Sequence, residues 1–200
     1  MKRAVFALMI ILSLILTAEN SSAAARQWEF DPAHSNVYFT IDHIFSKIRG
    51  RFATIEGTVH FDAKNLAESR FAFTIKVNSI DTGVSKRDRH LLSPDFFDSG
   101  KYPLITFDST AITDQGQGRY AVAGKLTIKG RAHDMVLPLI LAGIKDHPAV
   151  PGKQVIGFNG TLTLDRLAYG IGDGKYYTMG MVGKDADILV TFEALSPASK

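Results

Sequence analysis

Strict alternation of apolar and polar residues, repeated in run after run, constrains this chain more than any other feature. Val37, Phe39 and Ile41 alternate with Tyr38 and Thr40. Phe71, Phe73, Ile75 and Val77 alternate with Ala72, Thr74 and Lys76. Tyr120, Val122, Gly124, Leu126 and Ile128 alternate with Ala121, Ala123, Lys125, Thr127 and Lys129. Phe158, Leu162 and Leu164, and later Ile188, Val190 and Phe192, repeat the pattern. A side-chain period of two places these sets on opposite faces of an extended chain, one apolar and one mostly polar. That is the signature of antiparallel sheet with one wet side. Turn-forming residues at 62–65, 114–118, 129–131 and 148–152 divide the runs. The spacing predicts about eight strands, near 35–42, 50–61, 69–79, 103–111, 118–129, 132–142, 154–164 and 185–195. Evenly spaced strands joined by short turns make a barrel or a sandwich. No internal repeat or linker interrupts them, so the reading is a single all-β domain.

Two stretches break the alternation. Residues 85–92 (Ser-Lys-Arg-Asp-Arg-His-Leu-Leu) read as a short helix, and Pro94 fixes a bend after it. Residues 167–181 hold Gly170, Gly172, Gly174, Tyr169, Tyr176 and Tyr177. Long aromatic loops on a barrel are expected at its mouth or folded over it.

The first residues address the compartment. Lys2 and Arg3 precede an apolar run from Ala4 to Leu16, and Ala23-Ala24-Ala25 supplies a small-residue exit. This reads as a secretory signal peptide over residues 1–25, leaving residues 26–200 as the mature domain in the periplasm. A spanning helix needs about 20 apolar residues, so no stable membrane insertion is expected after cleavage. The chain has no cysteine. An exported protein without cysteine has neither disulfides nor thiolate metal sites, so the fold stands on its core. Removing Lys2, Arg3 and Glu19 takes the formal charge from +3 to +2. The remaining charges are scattered, which argues against nucleic acid as a partner.

Catalytic signatures are sparse. There is no G-x-S-x-G elbow and no H-E-x-x-H. The six histidines, His34, His43, His60, His90, His133 and His147, do not pair at helical spacing. His34 and His43 have the option of meeting around the first strand, although local hydrogen bonding is the simpler reading of each. A metal site would need ligands from separate strands, and none is expected. The densest polar cluster is Arg87-Asp88-Arg89-His90. It reads either as a head-group contact or acid/base pair, or as charges that pin a covering helix to the barrel rim, with Phe96 and Phe97 as plugs beneath.

Several ordered segments resemble the YceI family. They are residues 31–39 (Asp-Pro-Ala-His-Ser-Asn-Val-Tyr-Phe) with His43, Gly50-Arg51-Phe52, and residues 57–62 (Gly-Thr-Val-His-Phe-Asp). Next come residues 79–83 leading into Arg87-Asp88-Arg89-His90-Leu91, then Phe96-Phe97-Asp98 and residues 102–107. Residues 124–130 (Gly-Lys-Leu-Thr-Ile-Lys-Gly) and Asp165-Arg166 complete the set. Each segment alone is weak, but their order and spacing cover nearly the whole mature chain; the loop from Tyr169 to Met181 fits least. The resemblance implies an eight-stranded antiparallel lipocalin-like barrel with a short helix near one end. It also implies a tunnel for a polyisoprenoid or related amphiphile, with no catalytic residue to carry over. A homodimer is plausible by family analogy alone.

On this reading Phe39, Ile41, Phe61, Phe71, Phe73, Phe107, Leu126, Ile128, Phe158, Leu162 and Phe192 are the candidates for the apolar lining. Arg87, Asp88, His90, Phe96, Phe97, Tyr169 and Tyr176 are the candidates for the head group or rim. At about 0.3 kcal/mol per heavy atom, a tail of roughly 40 carbons yields about 12 kcal/mol, near nanomolar affinity. The expected ligand is a polyisoprenoid lipid or isoprenoid quinone, carried or stored, with no cofactor required. Two alternatives stand beside it: an enzyme acting on such a lipid through Arg87, Asp88 and His90, and a stress-response protein whose barrel is filled by its own side chains.

Overall fold

Every strand in the computed structural model, which describes residues 24–198, pairs antiparallel with its neighbours. The expected signal peptide therefore lies outside the described residues, apart from Ala24 and Ala25. Three staves are each built from two strands in line. They are β1 (Gln27–Phe30) with β2 (Asn36–His43), β3 (Ser46–Phe52) with β4 (Ile55–His60), and β5 (Arg70–Lys76) with β6 (Ile80–Asp81). Five more staves are β7 (Leu104–Asp114), β8 (Arg119–Ile128), β9 (Arg131–Asp146), β10 (Lys153–Asp165) and β11 (Val182–Pro197). Consecutive staves are neighbours throughout. The long β11 closes the ring, pairing with β2 from Val182↔His43 to Thr191↔Asn36 and with β1 at Glu29↔Leu195 and Phe30↔Ala194. The result is a closed eight-stranded antiparallel barrel, in which closure pairs the edges that an open sheet would expose.

The alternating runs all became staves, but several boundaries differ from the sequence expectation, and two of the differences have a clear cause. The first stave begins at Gln27, where β1 was not anticipated. Its four residues are too few to display a period, although Trp28 is buried and Phe30 packs against the core. The second stave begins at Ser46 rather than near residue 50. Its inward positions there are Ile48, Gly50 and Phe52, and the middle one has no side chain to signal the face. Gly50 sits opposite Phe39, and a Cβ would come within 2.4 Å of that ring.

The inward faces do two different things along the barrel axis. Phe30, Phe61, Phe71, Phe73, Phe158 and Phe192 pack ring against ring, with centroids 5.0–6.5 Å apart and mostly edge-on or tilted. These are the arrangements that aromatic quadrupoles favour. Tyr120 joins edge-on to Phe61, and Trp28 donates its indole N–H to the Phe61 carbonyl at 3.2 Å. This aromatic cluster fills one end of the barrel. Helix α1 (Ser85–Leu92) and the short α2 (Lys175–Thr178) cover the other end, where His90 of α1 lies 6.5 Å from the ring of Tyr176 in α2.

The ladder between β9 and β10 ends at Asn159↔Ile140. In that register Gly160 would next face Leu139, with Pro138 one residue further along β9. Proline supplies no N–H to a ladder, and the strands approach so closely that a Cβ on Gly160 would fall 2.3 Å from the Pro138 carbonyl oxygen. Because the obstacle is backbone, Gly160→Ala is expected to destabilise the barrel by about 1–3 kcal/mol, read as a lower denaturant midpoint. An unchanged midpoint would contradict the close approach.

Candidate functional site

Beneath α1 and α2 the barrel interior opens into a cavity. A cavity of about 340 Å³ is walled by Phe39 and Ile41 of β2, Ile48 and Phe52 of β3, Ile105 of β7, Ile128 of β8, Leu164 of β10, and Ala186 and Ile188 of β11. Leu91, Phe96, Phe97, Tyr169, Ile171 and Tyr176 close over it. A second space of about 100 Å³ lies deeper, among Phe73, Phe107, Leu126, Met135, Leu137, Leu162 and Val190. Phe52, Ile105, Ile128, Leu164 and Ile188 line both. The two spaces therefore lie end to end, as an apolar pocket tapering toward the aromatic cluster.

The anticipated lining residues divide accordingly. Phe39, Ile41 and Ile128 line the outer space, and Phe73, Phe107, Leu126, Leu162 and again Ile128 line the inner one. Phe61, Phe71, Phe158 and Phe192 line neither. They are buried against one another in the cluster that blocks the far end. All eleven side chains face inward, as period two requires. Periodicity gives the face of a strand but not the depth at which the barrel stops being full.

The rim residues divide too. Arg87, His90, Phe96, Phe97, Tyr169 and Tyr176 line the outer cavity; Asp88 does not. The Asp88 carboxylate accepts the Thr82 N–H at 3.0 Å and the Thr82 hydroxyl at 2.5 Å. Arg87 donates from Nε to the same hydroxyl at 2.7 Å and from Nη2 to the Thr82 carbonyl at 2.7 Å. Thr82 thus ties α1 to the segment before it through both Asp88 and Arg87. His90 instead meets Asp95, with Nε2 3.1 Å from Oδ2, and Asp95 is 73% exposed.

His34 and His43 do not meet. His43 ends β2 at the cavity, whereas His34 precedes β2. His34 Nδ1 lies 2.8 Å from Asp31 Oδ2, and this bond raises the histidine's pKa and lowers that of the carboxylate. Glu193 joins them within 4.8 Å, but the group lies outside the cavity and its hydrogen bonds serve the turn at 31–34.

Sequence reasoning overlooked the most unusual polar group. Arg166 lines the outer cavity and is 6% exposed. Its Nε donates to the Gly183 carbonyl at 2.8 Å and its Nη1 to the Ile171 carbonyl at 2.6 Å. Its Nη2 is buried with no hydrogen-bond partner among the described residues. Removal from water lowers its pKa, against the fields of Asp165 and Asp173. A signal was present: Arg166 continues the inward register of Phe158, Gly160, Leu162 and Leu164, as His43 continues that of Val37, Phe39 and Ile41. The other polar groups on the outer cavity are Arg87, His43, His90, Tyr169 and Tyr176. Among the described residues its lining includes no carboxylate, serine, threonine or lysine.

The chain matches the YceI-like domain family over residues 28–194. It is 33% identical over 183 residues to a UPF0312 protein of Vibrio parahaemolyticus, covering 90% of this chain and 95% of that one. It is 31% identical to a UPF0312 protein of Pseudomonas paraeruginosa over 92% of this chain and 93% of the other. Among solved structures, BcnA of Burkholderia cenocepacia superposes with a TM-score of 0.72 at 30% identity, over 84% of this chain and 99% of BcnA. A polyisoprenoid binding domain from Saccharophagus degradans superposes with a TM-score of 0.62 at 13% identity, over 86% and 99%. The last likeness concerns the fold alone.

If one end of the barrel is packed solid and the other is hollow, truncations at the two ends should differ. Phe158→Ala is expected to cost about 3–5 kcal/mol in urea unfolding, because its ring is fully surrounded. Phe39→Ala should cost clearly less, since that half-buried ring already borders empty space. Equal losses would contradict the division.

Proposed function

Because this chain belongs to the YceI-like family, we propose that it is a binding protein that holds a long-chain isoprenoid lipid or quinone in the barrel and carries or stores it in the periplasm. The observation that carries this reading is the pocket itself: an apolar shaft enclosed by strands from most of the barrel, with its polar groups confined to one end. Pockets that recognise small molecules combine mostly apolar walls with a few placed polar groups. A flexible hydrocarbon chain gains about 0.8 kcal/mol gross for each CH₂ it buries there. The polyisoprenoid binding domain of Saccharophagus degradans shares this fold, and this chain's own apolar lining supports the ligand class. The titratable groups of the outer lining are arginines, histidines and tyrosines, with no carboxylate, serine, threonine or lysine among the described residues, a set suited to holding a head group at the mouth of an apolar pocket. No helix among the described residues is long and apolar enough to cross a membrane.

Native mass spectrometry of the protein purified from its own cells, followed by extraction and identification of what leaves with it, tests the reading. An isoprenoid-tailed lipid is the expected product. Ala186→Phe places a ring into the outer cavity from a half-buried wall position, and should strip the lipid while leaving thermal unfolding nearly unchanged. Equal lipid in variant and parent would overturn the assignment of this pocket. His90→Ala separates carrier from enzyme. A carrier retains chemically identical lipid, whereas loss of a catalytic acid or base would cut turnover about a hundredfold or more and change the lipid recovered.

A further inference from the structure

The pocket is chemically lopsided in a way that bears on the other end of its ligand. Its walls are hydrocarbon, and its ionisable outer lining is basic or phenolic: Arg87, Arg166, His43, His90, Tyr169 and Tyr176. Arg166 is the group that most needs explaining. A guanidinium remains protonated in a folded protein, so this side chain brings a full positive charge out of water. Such a charge is tolerated when it is paired and its donors are filled. Two of its nitrogens reach backbone carbonyls, and Nη2 reaches no acceptor among the described residues.

The carboxylates whose fields act on Arg166 are committed elsewhere. Asp165 accepts the Leu167 N–H at 2.8 Å and faces Lys184 at 3.4 Å. Asp173 accepts the Lys175 N–H at 2.9 Å. No ion pair with Arg166 occurs among the described residues. The surrounding loop is nonetheless built to press on it: Gly172 has φ +81°, and a Cβ there would strike Nη1 at 2.6 Å. The chain thus spends a left-handed glycine to hold a cation, without an internal counter-charge, at the wall of an apolar cavity.

We propose that Arg166 is the anchor for an acidic head group, so that the amphiphile bound in this pocket carries a phosphate or carboxylate where the apolar shaft meets the polar end. This rests on the lipid-binding reading above and narrows it. The planar fork of a guanidinium matches two oxygens of either acid, and Arg87 lines the same cavity as a second cation. A neutral alcohol satisfies the free donor but leaves the buried charge uncompensated.

The test uses three probes with one tail: geranylgeranyl monophosphate, geranylgeranoic acid and geranylgeraniol. Dissociation constants are measured by titration of the delipidated protein. At least one acid should bind the parent about 10- to 100-fold more tightly than the alcohol, the range of a charge-assisted hydrogen-bonded contact, and the better acid identifies the head. Arg166→Met should bring that ratio close to one, whatever the change in affinity for the alcohol. Arg166→Lys keeps the charge but loses the fork and should give an intermediate ratio; it decides the matter if the methionine variant does not fold. Equal binding of all three probes by the parent overturns the head-group assignment and leaves the lipid pocket standing. An unchanged ratio in a folded Arg166→Met protein overturns the role of this residue. Binding of none of the probes overturns the lipid-binding reading itself.

Discussion

Closing eight antiparallel staves with β11 creates an inside, and the rest of the structure answers the question of what occupies it. Each inward position is fixed by the two-residue period of its strand, so the chain cannot move a side chain from the interior to the surface without shifting a whole register. The interior is therefore composed position by position. A barrel of this size stands at the boundary between being filled by its own residues and holding a small ligand. This chain does both, at different depths.

Aromatic mass makes the difference. At one end Phe61, Phe71, Phe158 and Phe192 are large enough to meet across the barrel, and Trp28 and Tyr120 complete the packing. Nearer the helices, the inward positions turn to Ile41, Ile48, Ile105, Ile128, Leu164, Ala186 and Ile188, which do not span the same gap. Side chains facing empty space forgo dispersion contacts on that side, a deficit that an apolar ligand offsets. The solid end supplies stability that the hollow end lacks, so pocket and scaffold are separable along one axis.

The sequence made the fold legible because period two is a local property, visible within a single strand. It made the candidate lining legible for the same reason, and Phe39, Ile41, Phe73, Phe107, Leu126, Ile128 and Leu162 indeed border the cavity. Depth was not legible, since it depends on stagger between staves that are distant in sequence. Phe71 and Phe73 look equivalent in their run, yet only Phe73 borders the inner space. The dense charges at 87–90 allow both a head-group role and a helix-pinning role when read from sequence. Asp88 and Arg87 are adjacent in sequence and share Thr82, a local tie. Arg166 is inconspicuous as a lone cation after a strand run, and its isolation becomes visible only once β11 and the 167–181 loop have closed around it.

That position also joins two roles. By donating to Ile171 in the loop and to Gly183 in β11, Arg166 ties the cover of the cavity to the strand that closes the barrel. A hydrophobic residue of similar volume would spare the desolvation of a buried charge, but it would make neither bond and leave two carbonyls seeking donors. The guanidinium serves the cover with two of its nitrogens and leaves the third uncommitted beside the pocket. Loop geometry and head-group chemistry are thereby carried by one side chain, and whatever accepts a hydrogen bond from Nη2 also bears on how firmly the cover is held.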